Sequence, residues 1–422
     1  MGRRATSYGG QRGGYGPGAA AGAPCEGFGP GAAAGAGPVE RSEQRLSFLK
    51  SELKITPEQE AAWTAFAEHA KAQAITMEAF HAQPAAAAQS PAEPSEQRAE
   101  RMNLRAKTDY TTRMSEPIQI RMGGYGPPTT TCSRGLKIMG DRLAQEFGKA
   151  VDVKYIWNVM DLGYKGGDLL WMAEHGILTL SYQSTSYLAD RVPELDMADL
   201  PFLFDGLKDA RAAMDGKFGA WMTRKIEERI PGYRVLGYFE NGYRHVSNQL
   251  RPVRALADLK GMRVRLMPGK IHARSFELLG TVPFSLDLKP GLEAVVSGAV
   301  DAQENPLANT VDYGAHKVHR YHTLTGHCYL SRGIYMNRAE FERWPKEIQQ
   351  GIQRAARAAI VAQRDLAVEE EAVARKAIEA SGGEVVELTP AERAAFSRAV
   401  KPLHDEARKR FGDDVFALVR AK

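Results

Sequence analysis

From residue 117 onward the apolar positions fall into two rhythms. Ile118, Ile120 and Met122 recur at every second position, the period of a strand with one face in a core. The run ends in Gly123-Gly-Tyr-Gly-Pro-Pro128, a turn-forming loop. Leu136, Met139, Leu143 and Phe147 then recur at three- and four-residue steps and predict a helix. Val151, Val153, Tyr155 and Trp157 predict a second strand, residues 168–175 a short helix, and residues 177–182 a buried strand. This alternation predicts an α/β fold with a mainly parallel sheet and helices on its faces. A second unit of the same kind runs over residues 258–330. Residues 339–380 read as one long helix, with Ile348, Ile352, Ala356, Ala359 and Leu366 as its stripe and Gly382-Gly383 as its stop. Such a helix spans roughly 55 Å, enough to cross two domains. Residues 384–388 read as a last strand, and Thr389-Pro-Ala-Glu392 as a capping box opening the final helix.

The first 116 residues have another character. Residues 1–40 are Gly/Ala/Pro-rich and offer too little apolar surface to offset chain entropy, so a disordered tail is expected. Residues 41–114 read as a partial helical segment. Leu46, Leu49 and Leu53 recur at helical spacing, Thr56-Pro57-Glu58-Gln59 is a helix start, and Trp63, Phe66, Ala70 and Met77 continue one apolar stripe. A Pro/Ala/Ser linker at 84–95 interrupts it. At 422 residues the chain is long enough for two or three domains. A net charge of +5, spread along the chain, leaves no footprint for nucleic acid. No apolar run of membrane-spanning length occurs, and no secretory or twin-arginine signal is readable after Arg3-Arg4. Cys25, Cys132 and Cys328 are too scattered for a disulfide framework or a zinc site.

Three short stretches carry the candidate chemistry: Gly237-Tyr-Phe-Glu-Asn-Gly-Tyr-Arg-His-Val-Ser-Asn248, Asp258-Leu-Lys-Gly-Met-Arg-Val-Arg-Leu-Met-Pro268 and Gly298-Ala-Val-Asp-Ala-Gln-Glu-Asn-Pro306. They put Arg244, Arg265 and Asn305 beside strand ends, with no acid, base and metal set to make a catalyst. Two guanidiniums and an amide suit a carboxylate, because the planar fork of Arg meets it bidentately and stays charged. Alternation places Met262, Val264 and Leu266 on one strand face and Arg263 and Arg265 on the other. On the residues alone, these two are either a ligand clamp with a structural neighbour or two surface arginines on an edge strand. Glu304 offers either a general base or a charge partner for Arg244 or Arg265. Tyr125, Ser184 and Tyr187 follow strand ends, where ligands sit in such sheets. His316, His319, His322 and His327 lack a carboxylate or thiol at ligand spacing, so no metal is expected and they read as interdomain or surface residues. There is no G-x-S-x-G, P-loop or G-x-G-x-x-G after a strand.

These stretches resemble the solute-binding subunits of TRAP transporters, as do Val192-Pro-Glu-Leu-Asp-Met-Ala-Asp-Leu-Pro-Phe-Leu-Phe204 and Thr323-Leu-Thr-Gly-His327. The likeness runs from about residue 117 to the C-terminus. It implies a two-domain periplasmic-binding-protein-like fold with a long spine helix. Lobe I would comprise residues 117–241 with 331–380, lobe II residues 242–330 with 381–422, hinged near 240–242 and 330–333. Arg265 matches the arginine that clamps the ligand carboxylate, and Arg244 and Asn305 match two other pocket positions. Glu304, Tyr125, Ser184 and Tyr187 complete the expected site. The implied ligand is a small organic acid, the implied partners are membrane permease subunits, a dimer is compatible, and the implied location is the periplasm. No cofactor, catalytic residue or nucleic-acid partner is implied. Leu288 stands where the family usually has an aromatic, hinting at a small or aliphatic ligand, and Arg265-Leu266-Met267 replaces the usual R-V-P, so a different loop path is expected. Leu53-Lys-Ile-Thr-Pro-Glu-Gln59 resembles the L-T-x-x-Q motif of small helical proteins related to the Spy chaperone. A chaperone-like or adaptor role for residues 41–114, and a carboxylate-processing enzyme, are the alternative readings.

Overall fold

A computed structural model describes residues 116–420 continuously, together with Pro57, Glu60, Thr64, Ala67, Glu68 and Lys71. The tail expected at 1–40, the linker at 84–95 and most of the helical segment at 41–114 lie outside the described residues. Within that segment the Thr64 hydroxyl bonds the Glu60 carbonyl at 2.9 Å, a contact between successive helical turns. Residues 107–422 form a unit of their own.

Nine strands among the described residues make one sheet. In chain order they are β1 (Ile118–Gly123), β2 (Val151–Ile156), β3 (Leu180–Ser184), β4 (Tyr233–Asn248), β5 (Arg263–Leu266), β6 (Val282–Ser285), β7 (Ala302–Asn305), β8 (Tyr321–Asn337) and β9 (Glu384–Glu387). The order across the sheet is β2-β1-β3-β8-β4-β7-β5-β6, with β9 beside the first residues of β8. Parallel sets β2-β1-β3 and β7-β5-β6 lie at the two ends, joined by β4 and β8, which run antiparallel to each other and to their outer neighbours. The sheet is therefore mixed rather than mainly parallel. Register shifts at Val235/Tyr238, Glu240/Gly242 and Arg244/Val246 break the alternation of β4, which hides its two-residue period from the sequence.

Local chemistry explains most boundaries. Helix α1 (Thr131–Phe147) starts where the Thr130 side chain accepts from the Ser133 amide, and it buries Leu136, Met139 and Leu143 as the stripe requires. β3 begins at Leu180 rather than 177 because Arg121 binds the carbonyls of Gly176 and Ile177 at 3.0 and 2.8 Å, which takes that segment out of the ladder. The long helix also differs from expectation. A short helix α2 (Arg338–Arg343) precedes α3 (Lys346–Ala380), and Trp344 between them is extended because it precedes Pro345. The 35 residues of α3 span about 52 Å. Thr389 and Glu392 form the anticipated capping box at the start of α4 (Pro390–Ala399). The last helices, α5 (Lys401–Phe411) and α6 (Asp413–Arg420), pack on segments from both ends of the sheet, α5 against Lys270–Leu278 and α6 against Leu207–Asp215 and Lys217–Arg229.

The spine helix α3 holds β4 where its ladder is irregular. Gly242 adopts φ 95°, a conformation costly for any residue with a Cβ. Just before it, the Gln363 side chain accepts from the Glu240 amide at 2.8 Å and donates to the Glu240 carbonyl at 2.7 Å. The Glu240 carboxylate in turn takes both arms of Arg211 and the Tyr329 hydroxyl. Farther along, Glu371 of α3 accepts from the amides of Leu307 and Ala308, the first two residues of the helical segment after Asn305-Pro306.

The histidine run does not form a helical fan. His316 lies on a 3-10 turn, His319 follows it, and His322 and His327 belong to β8. His319, His322 and His327 are buried rather than at the surface. No metal-holding cluster occurs among the described residues. Cys132 and Cys328 are buried free thiols.

Two predictions follow from this packing. Gln363→Leu strands two buried backbone groups and should lower unfolding free energy by about 2–4 kcal/mol, read as a shifted urea midpoint. Burial lowers the His319 pKa to about 4, with His322 adding to the effect and Asp301 opposing it. Burial likewise lowers that of His322 to about 4, against the His319 carbonyl it bonds. An unfolded histidine takes up its proton near pH 6.5, so between pH 6.5 and 4 the unfolded chain holds more protons and stability falls on acidification. The melting temperature should drop from pH 7 to pH 5, and the double variant His319→Gln/His322→Gln should show a smaller drop.

Candidate functional site

Four arginines are buried among the described residues: Arg244, Arg265, Arg332 and Arg364. Arg364 pairs with Asp215 at 2.6 Å and Arg244 with Glu304. Neither Arg265 nor Arg332 forms an ion pair with any described carboxylate, although a lone buried guanidinium is costly. The two unmatched cations mark the candidate site.

Arg265 lies on β5, between β6 and β7 and so away from the sheet edge. Arg263 shares its strand face but sits at the outer end, where it is exposed and pairs with Asp301 at 2.6 Å. Two residues on, Arg265 is only 3% exposed. Its Nη2 donates to the Leu286 carbonyl at 2.7 Å, and its Nε has no partner. The side chain lies against Gly291, where an added Cβ would stand 2.2 Å from Nε, so glycine makes room for the guanidinium. Burial holds its pKa below the ordinary arginine value, with Tyr187 and Glu304 opposing that effect. What remains is a desolvated cation with unused donors, a ready partner for an anion.

Arg244 has an adjacent acid, Glu304, in the charge-partner arrangement that is one of the two readings of that residue. Its Nε meets Glu304 Oε2, while its Nη2 reaches Glu304 Oε1 at 2.8 Å and the Glu304 carbonyl at 2.6 Å. Burial opposes both charges, yet the pair holds Arg244 above its usual pKa and the Glu304 carboxyl far below the carboxylate range. His327 adds a third partner, 3.3 Å from Glu304 Oε2, and is itself fixed by Thr325 at 2.7 Å. Next along β7, Asn305 donates to Gln303 at 2.5 Å, and Gln303 donates to Ser247 and Thr310.

The aromatic candidates converge from the other end of the sheet. The Tyr187 hydroxyl donates to Asp287 Oδ1 at 2.7 Å, one residue beyond the carbonyl that holds Arg265. Gly166 and Gly167 lie among these parts, as the neighbours of a Cβ added to each show. The first would lie 3.6 Å from Asp287 Oδ1, Gln183 Nε2 and the Tyr125 ring, the second 3.3 Å from the Tyr187 ring. Leu288 packs into the same apolar cluster as Tyr125, Tyr182 and Phe239. Ser184 stands apart in role, because its hydroxyl caps the turn that begins at Thr185 and bonds Ser186 Oγ at 3.2 Å.

Arg332 was read from sequence only as part of a hinge. It lies on β8, opposite Ser184 and Phe239. Its guanidinium carbon is 4.9 Å from the Tyr125 ring centre and 5.9 Å from that of Tyr182, with the Cys132 thiol beside it. Its Nε has no hydrogen-bond partner. The available signal was one charge inside the otherwise uncharged run Cys328-Tyr-Leu-Ser-Arg-Gly-Ile-Tyr-Met336.

Comparisons with known proteins agree with this architecture. Residues 122–410 match the model of DctP, bacterial extracellular solute-binding protein family 7, and residues 41–118 match the LTXXQ motif family. The chain is 31% identical over 246 residues to a solute-binding protein of Verminephrobacter eiseniae, covering 58% of this chain and 72% of that protein. It is 26% identical over 310 residues to the C4-dicarboxylate-binding periplasmic protein DctP of Rhodobacter capsulatus, covering 73% of this chain and 92% of that one. A crystal structure of a TRAP periplasmic solute-binding protein from Polaromonas sp. JS666, bound to D-erythronate, superposes with a TM-score of 0.68 at 26% identity. It covers 72% of this chain and 98% of that one. Among the described residues no helix is long and apolar enough to cross a membrane. With its β4–β8 crossover, its spine helix and a family match over two thirds of its length, the chain belongs to bacterial extracellular solute-binding protein family 7.

Proposed function

We propose that this chain captures a small organic carboxylate in the periplasm and delivers it to the membrane permease subunits of a TRAP transporter. Arg265 carries the reading. It is buried, charged and without an anionic partner among the described residues, and a ligand carboxylate meets its fork bidentately. Arg244 acts behind it, locked to Glu304, and Asn305 lies beside that pair. Glu304, engaged by both Arg244 and His327, serves as the counter-charge of Arg244 rather than as a proton acceptor. The names of the similar proteins, one for C4-dicarboxylates and one with D-erythronate bound, are of the same ligand chemistry.

Residues 117–241 with 331–380 act as one lobe and residues 242–330 with 381–422 as the other, the carboxy-terminal helices bridging them. The chain crosses near 240–242 and 330–333, where the β4–β8 register shifts and Gly242 adopts its positive φ. Closure about these crossings is a hinge motion.

In a thermal-shift screen of carboxylic acids, the wild-type melting temperature should rise with the cognate acid. Arg265→Met should lower affinity by about a hundredfold or more and abolish that rise. The unliganded variant should melt no lower than wild type, since a lone desolvated cation has been removed. An undiminished shift in Arg265→Met would overturn the assignment. The radius of gyration from solution scattering should also decrease at saturating acid.

A further inference from the structure

We propose that a cavity beside the spine helix, outside the acid-binding cleft, is a second binding site, and that its ligand is an amphipathic monoanion, an apolar body carrying one carboxylate or sulfonate. The cavity encloses about 580 Å³, within the range of small-molecule sites in proteins. Its walls are largely apolar: Leu207, Leu307 and Leu324, with Ala367, Val368 and Ala372 of α3. On β4, Tyr243 and His245 line it, whereas Arg244 between them does not and pairs with Glu304. Neither Arg265 nor Asn305 lines it, so the proposal stands apart from the carboxylate-capture reading.

The acidic groups of the cavity are engaged or solvated. Each oxygen of Glu371 accepts from a backbone amide, that of Leu307 at 2.9 Å and that of Ala308 at 3.0 Å. Glu240 holds both arms of Arg211 and the Tyr329 hydroxyl. Asp205 is exposed, where water and salt screen its charge. Of the two arginines at the wall, Arg375 is bridged to Glu387 at 2.7 Å and to Glu379 at 3.1 Å. Arg393 of α4 is half-buried and forms no ion pair among the described residues. Its guanidinium carbon stands 5.0 Å from the Phe202 ring centre, and it makes one long hydrogen bond, 3.5 Å, to the Gly326 carbonyl. Stacking orients that plane without neutralising it, because a ring face supplies no net charge.

His245 adds a donor. Its Nδ1 accepts from the Gly326 amide at 3.0 Å, which leaves the proton on Nε2. That nitrogen is 3.7 Å from Glu371 Oε1, too far for a hydrogen bond. Burial, with His327 and Arg244 adding to the effect, lowers the His245 pKa to about 3, so the ring is neutral. Asn241, also at the wall, has a buried Nδ2 with no partner. An unpaired guanidinium and unused N–H donors against apolar walls suit an acidic head group on an apolar body.

Fluorescence titration of the full chain with anilinonaphthalene sulfonate, followed by displacement with octanoate or octanol, tests this. Wild type should bind the probe, and octanoate should displace it at about tenfold lower concentration than octanol. Arg393→Gln should bring octanoate down to the level of octanol and leave octanol unchanged, which also shows that the variant is folded. Arg393→Lys, which keeps the charge, should retain part of the preference. Ala372→Trp puts a bulky ring at an exposed position of α3 and should abolish binding of both while the melting temperature holds. Arg265→Met should leave both unchanged. The proposal is overturned if wild type fails to bind the probe or octanoate fails to displace it. Equal affinities for octanoate and octanol in wild type, or undiminished octanoate binding in Arg393→Gln or Ala372→Trp, would also overturn it. Loss of octanoate in Arg265→Met would overturn it too, by placing octanoate in the cleft, and would leave the Arg265 reading standing.

Discussion

A guanidinium keeps its charge at any pH this protein meets, so each arginine taken out of water needs an anion from somewhere. The fold answers this in two ways. Arg244 and Arg364 receive Glu304 and Asp215 from the chain itself, and Arg211 meets Glu240 at the crossing of the two long strands. Arg265 and Arg332 receive none, although each is as deeply buried as the paired ones. Paired arginines tie elements together, while the two others form no ion pair among the described residues.

The framework depends on β4 and β8. Because they run the length of the sheet, they carry the chain from the parallel strands at one end to those at the other. Their bulges leave backbone groups without ladder partners, and α3 supplies replacements through Gln363. Spine helix and strand crossing are therefore one device. A helix with Gln facing Glu240 and Glu371 capping the segment after Asn305 positions both the crossing and the far side of the site.

Individual residues show what the sequence could tell. Arg263 and Arg265 share a strand face and differ by two positions, yet one is solvated beside Asp301 and the other is sealed beneath Gly291. Periodicity gives the face but not the depth, and depth depends on the helix that covers the strand end. Family resemblance separated the two where alternation could not. The opposite failure is Arg332, which matches no motif quoted for the resemblance and becomes notable only when the Tyr125 loop folds over it. For Glu304, sequence offered a base or a counter-ion, and the contact with Arg244 selects the counter-ion. The histidines looked like one cluster because they are close in sequence, and the turn before β8 disperses them.

The sequence by itself determined the α/β class, the first strands and helices, the spine and the capping box at Thr389. These rest on local periodicity, capping chemistry and short motifs, which act over a few residues. Only the tertiary structure decided which charges are neutralised, where the strands cross and which tyrosines meet Asp287 and Arg332. Those outcomes depend on contacts between residues far apart in the chain, such as Arg244 with Glu304, Tyr187 with Asp287 and Arg332 with Tyr125. No local pattern encodes whether a charge so placed will find a partner or be left for a ligand.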